Sequence, residues 1–199
     1  MPSTPARSNA HADTLDPGEP YAIADLARTL GRLTREGAAL MEGLPLEVFF
    51  APQRDRWSPA EHVRHLVKSS RPLILAYRLP RFVSKVLFGS ATTPSRTFVA
   101  LRDDYRSLLA AGGKAGRFAP SAEGTPRDPA ARRREILAAW HDVNDRVSTA
   151  WTRWRGIQLD QAVFPHPLLG KLTAREMAMF TVYHTSHHLT LVRDRLPRM

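Results

Sequence analysis

The chain contains no cysteine, which removes disulfide frameworks and thiolate metal sites together. Any metal it holds must rest on nitrogen and oxygen donors. No apolar run approaches the roughly 18 residues that a membrane-spanning helix needs. The N-terminal stretch lacks the apolar segment of a secretory signal, so the expected location is the cytoplasm. Acidic side chains are in deficit: 19 Asp and Glu against 29 Lys and Arg leave a net charge of +10. The cations are mostly arginine and lie scattered along the chain, whereas nucleic-acid binders gather charge on one stripe or arm. The excess therefore reads as a solvated surface with a leaning toward acidic partners, not as a nucleic-acid footprint. Strand-like alternation and internal repeats are missing as well.

What is present is helical periodicity. A chain of 199 residues, 43% apolar, fits one domain with a sizeable core and a tail. Residues 1–19 are rich in Pro, Ser, Ala and Asp without periodicity, and read as a disordered N-terminal tail in which His11 is incidental. Residues 20–199 form the domain. Ile23, Leu26, Leu30, Leu33, Gly37, Leu40 and Leu44 recur at alternating three and four spacing, the stripe of a bundle helix ended by Gly43 and Pro45. A second helix opens at Ser58-Pro59-Ala60-Glu61, an N-cap, a first-turn proline and a capping box. Pro72 should kink that helix or end it near Arg71. From Leu79 to Asp128 no single pattern holds, which suggests a crossover with short helices around Phe82–Leu87 and Phe98–Leu108 and a flexible loop from Gly112 to Arg127. A third helix begins at Asp128-Pro129 and carries Ile136, Trp140, Val143, Val147, Ala150 and Trp154 as a buried stripe closed by Gly156. After a loop, Thr173-Ala174-Arg175-Glu176 opens a fourth helix that runs to about Leu196. The expectation is an all-α four-helix bundle with a long crossover between helices two and three.

The chemistry gathers in Tyr183-His184-Thr185-Ser186-His187-His188-Leu189 on the fourth helix. Residues four apart share a helix face, so His184 and His188 can direct their rings at one point and hold a divalent metal. His187 can join them or stand beside them. Catalytic zinc usually takes three protein ligands and keeps a position open, so another helix must contribute. His62 and His65 on helix two and His141 on helix three are the candidates, and spacing alone does not choose among them. A lone histidine in a helical stripe is ordinarily a hydrogen-bonded structural residue, which is the competing reading for each. His166, before a proline in the last loop, is a candidate for the pocket mouth. Glu61 is the carboxylate nearest to His65 in sequence, and the capping box already accounts for it.

Two stretches carry a resemblance. Trp57-Ser58-Pro59-Ala60-Glu61-His62-Val63-Arg64-His65-Leu66 resembles the opening of helix two in the DinB/YfiT-like superfamily. His166-Pro167-Leu168-Leu169-Gly170-Lys171-Leu172-Thr173, followed by His184-Thr185-Ser186-His187-His188, is similar to that superfamily's last loop and last helix. The likeness spans about residues 20–197. It implies a bundle with a long crossover, often homodimeric, holding zinc or nickel on three histidines. Carried over motif to motif, the ligands would be His65, His184 and His188. Beside that set, His62, His187, His166 and Glu61 are candidates for residues that back the ligands or line the pocket. The family includes thiol-dependent transferases and isomerases, hydrolases, and members without a known reaction.

The sequence thus supports a metal-dependent hydrolase or a thiol-dependent transferase acting on a small molecule, the latter with a low-molecular-weight thiol. A non-catalytic dimeric stress or binding protein of the same fold is the alternative. The third possibility is a nucleic-acid or anionic-membrane binder using Phe82 to Leu87 beside Arg78, Arg81 and Lys85.

Overall fold

The computed structural model describes residues 14–52 and 56–196. Four long helices make the frame: α1 (Ile23–Glu42), α3 (Pro59–Arg78), α6 (Pro129–Trp151) and α8 (Ala174–Arg193). Between them lie α2 (Leu46–Phe50), then α4 (Arg81–Phe88), α5 (Phe98–Ala110) and a 3-10 turn (Gly116–Phe118) in the crossover, and α7 (Gly156–Gln161) after α6. Helix α3 packs most extensively on α6, α1 packs on α8 and α6, and α3 also meets α8. Buried Leu26, Leu30 and Leu33 of α1 face buried Trp140, Val143 and Val147 of α6 as part of one contiguous core. Gly37 lets these helices approach, because a Cβ there would lie 2.6 Å from Trp140 and 2.7 Å from Leu189. A polar tie crosses the same interface, where Asn144 Nδ2 donates to Thr34 Oγ1 at 2.8 Å.

The expected helix starts are present. Ser58 and Glu61 form a reciprocal capping box, as do Thr173 and Glu176, and Asp128 caps α6 ahead of Pro129. Four expectations need correction. Of the two outcomes expected at Pro72, a kink or an end near Arg71, the end does not occur, and α3 continues to Arg78. The turn beyond Pro72 is held from outside, since Tyr77 Oη donates to the Ala174 carbonyl at 2.5 Å and Trp154 Nε1 donates to the Tyr77 carbonyl at 2.8 Å. Helix α6 stops at Trp151, and Gly156 begins α7 in place of closing α6. The stretch around His166 is a β-hairpin, not an irregular loop: β1 (Val163–His166) pairs antiparallel with β2 (Gly170–Thr173), and Gly170 takes φ +73° at the turn. Strands of four residues, one containing Pro165, are too short to show alternation.

The fourth correction concerns the segment after α5. In place of a free solvated loop it is pinned to α3: Lys68 Nζ donates to the Ala119 carbonyl at 2.8 Å, Arg64 donates to the Ser121 carbonyl and hydroxyl, and Arg64 pairs with Glu123. Of the expected tail, residues 1–13, with His11, lie outside the described residues. Residues 14–19 follow the bundle, with Leu15 only 4% exposed and its carbonyl accepting from Ser186 Oγ at 2.7 Å. Phe82, Val86 and Leu87 project from α4 into solvent. No helix among the described residues is long and apolar enough to cross a membrane.

Candidate metal centre

His65 sits in the second turn of α3, while His184 and His188 occupy successive turns of α8, which lies against it. The packing brings the three rings together: one ligand atom from each lies within 4.8 Å of the others, and all three residues are buried. His184 Nε2 is 3.1 Å from His65 Nε2 and 3.0 Å from His188 Nε2. Imidazole nitrogens sharing one tetrahedral zinc at the usual bond length are about 3.3 Å apart, so the spacing suits a common cation.

Proton positions support the same fit. His65 Nδ1 lies 2.9 Å from the Phe118 carbonyl, which only accepts, so Nδ1 carries the hydrogen and Nε2 presents its lone pair. A hydrogen on His184 Nε2 or His188 Nε2 can then serve one of the two short contacts at His184, leaving the other without a proper donor. A cation accepts all three lone pairs at once. Burial, the largest influence on each, pulls the pKa of His65 below its ordinary value and those of His184 and His188 well below it. The rings are therefore neutral near pH 7, the state in which imidazole ligates metal.

The surroundings orient these rings. His62, one turn before His65, is 4% exposed and places Nδ1 2.8 Å from His188 Nδ1. Burial, with Arg195 as the next cause, lowers its pKa to about 3. Arg195 Nη1 reaches His62 Nε2 at 3.3 Å from beyond the end of α8. Trp57, immediately before the α3 cap, lies over the group, with ring centroids 4.8 Å from His65 and 6.0 Å, near-parallel, from His188. Glu61 does not face the cluster's chemistry. Its Oε2 accepts from the Ser58 amide at 2.7 Å and its Oε1 from the Glu123 amide at 3.1 Å.

A cavity of about 570 Å³ opens beside the rings, walled by Trp57, His65, His184, His187, His188 and apolar side chains including Leu73, Phe118, Phe164 and Phe180. His187 stands beside the trio, lining the cavity, with its pKa lowered to about 4 mainly by burial. His166 also lines it, delivered by the hairpin, and its pKa falls to about 4 through burial. The lining residues include no carboxylate.

The sequence reading missed three contributors: Trp57 as a cover, the Phe118 carbonyl as the partner of His65, and Tyr105 in the cavity wall. A backbone carbonyl leaves no trace in a sequence. Trp57 had a signal, since an aromatic residue directly before a capped helix bearing two histidines is placed to cover their ring edges.

A family model described as the DinB superfamily matches residues 4–192. The chain belongs to the DinB superfamily. Its fold agrees with a solved DinB-like structure, YfiT from Bacillus subtilis, described as "a probable metal-dependent hydrolase with an unusual four-helix bundle topology". The two share 15% identity and superpose with a TM-score of 0.58, over 86% of this chain and 84% of that one. The likeness at that identity concerns the fold alone. Comparison with curated proteins gave no match. Within the DinB fold the four-helix bundle expected from the sequence is present, and the buried three-histidine group is able to bind a metal.

Proposed function

We propose that this DinB protein holds a divalent cation on His65, His184 and His188 and uses it for hydrolysis of a small molecule in the adjoining cavity. The observation that carries the reading is the meeting of three neutral imidazole nitrogens whose lone pairs hydrogen bonding does not satisfy together. The description of YfiT as a probable metal-dependent hydrolase supports the same direction. When bound, such a cation supplies Lewis acidity and brings the pKa of a coordinated water to about 7, or deprotonates a coordinated thiol.

The chain's own residues prepare the site. The Phe118 carbonyl fixes the tautomer of His65, and His62 orients His188 from behind. Trp57 and the apolar wall keep bulk water from the rings, which strengthens every electrostatic interaction inside. With Glu61 committed to two backbone amides, the group beside the trio with no hydrogen-bond partner among the described residues is the neutral imidazole of His187, which lines the cavity.

Metal analysis of the purified protein beside His65→Ala and His184→Ala variants tests the ligand set. About one divalent ion per chain in the parent, lost in both variants, supports it; a parent that neither retains nor takes up zinc, nickel or cobalt refutes it. Screening ester and amide substrates with and without an added low-molecular-weight thiol separates hydrolysis from thiol-dependent transfer.

A further inference from the structure

Three polar side-chain atoms among the described residues are sealed from solvent without a partner: Ser84 Oγ, Trp140 Nε1 and Trp151 Nε1. Two further groups, Tyr105 Oη and His166 Nε2, lack a partner among the described residues but are not sealed, and both residues line the cavity. Tyr105 is 6% exposed, and its side chain forms part of the cavity wall.

Each of the two groups can donate, and His166 is fixed as a donor. His166 Nδ1 accepts from the amides of Leu168 at 3.2 Å and Leu169 at 3.0 Å, so the ring hydrogen of the neutral imidazole is on Nε2. The hairpin turn thus sets the tautomer. The Tyr105 hydroxyl carries a hydrogen that no group among the described residues accepts. The two rings stand 6.4 Å apart at 82°, and the Tyr105 ring is 6.1 Å from that of His184. The fixed charges in the cavity lining are Lys114 and Arg117, neither ion-paired among the described residues, with no carboxylate to oppose them. Most of the remaining wall is apolar.

The geometry points to Tyr105 Oη–H and His166 Nε2–H as a pair of donors that binds the carboxylate oxygens of a ligand whose apolar body fills the cavity. The inference deepens the proposed function by naming the ligand class, an apolar-chain carboxylate, and it rests on that reading only for the ligand's proximity to the cation.

Calorimetric titration with octanoate, and with 1-octanol as the uncharged chain, tests it on zinc-loaded and zinc-free protein, with zinc content measured. Octanoate binding in the parent that falls roughly tenfold or more in Tyr105→Phe and in His166→Asn, with 1-octanol unaffected, supports the pair. Three results overturn it: no octanoate binding in either metal state, octanoate binding unchanged in both variants, or equal losses for octanoate and 1-octanol. Failure to take up zinc sinks the metal reading alone, because titration of the zinc-free protein still decides the donor pair.

Discussion

His166 makes the fold sensitive to acid by a calculable amount. Its pKa is about 4 in the folded chain, lowered by burial, against 6.5 in an open chain. Between those values the unfolded state binds more protons than the folded one, so stability falls as pH drops below 6.5. Near pH 7 neither state is appreciably protonated and the contribution is close to zero. At pH 5 the open-chain imidazole is about 1.5 units below its pKa while the folded one is still neutral, which at 1.36 kcal/mol per unit is a loss of about 2 kcal/mol. In His166→Asn the amide oxygen can still accept from the hairpin amides, but nothing titrates. Urea unfolding of parent and variant at pH 7 and pH 5, with chelator present, reads the double difference. The variant should lose about 2 kcal/mol less than the parent, a midpoint difference on the order of 1 M urea. His184, which His166 also influences, is held well below 6.5 chiefly by burial, so the other buried histidines cancel to a first approximation. Equal acid losses in parent and variant would refute the reasoning, showing that the imidazole is not held neutral by burial.

Gly37→Val should cost about 3 kcal/mol in denaturant titration, because even a Cβ meets Trp140 and Leu189 at under 3 Å; a neutral outcome would mean the helices spread without penalty. Glu61→Ala should lower stability by about 1–2 kcal/mol while leaving zinc stoichiometry intact. Loss of metal in that variant would return Glu61 to the site.

The bundle was legible because its helices write their faces at 3.6 periodicity and its capping boxes mark two starts. The metal group was legible in part: His184 and His188 advertise themselves by spacing, but the choice of His65 over His62 came from resemblance. In space the two diverge, His65 turning Nε2 toward His184 while His62 backs His188. The hairpin and the pinned crossover were not legible, and at Pro72 the sequence did not choose between a kinked helix and an ended one. Each depends on partners far along the chain, as when Tyr77 is tied to Ala174.

Trp57 has a practical consequence through its place over the histidines, 4.8 Å from one ring and nearly parallel to another. Its indole is an emitter in contact with the proposed ligands, whereas Trp140 and Trp151 are sealed in the core. Nickel or cobalt arriving between those imidazoles should quench it by short-range transfer, and zinc, with a filled d shell, should leave it bright. Under the proposed function the protein would carry its own gauge of which ion it has taken, readable by emission without a label.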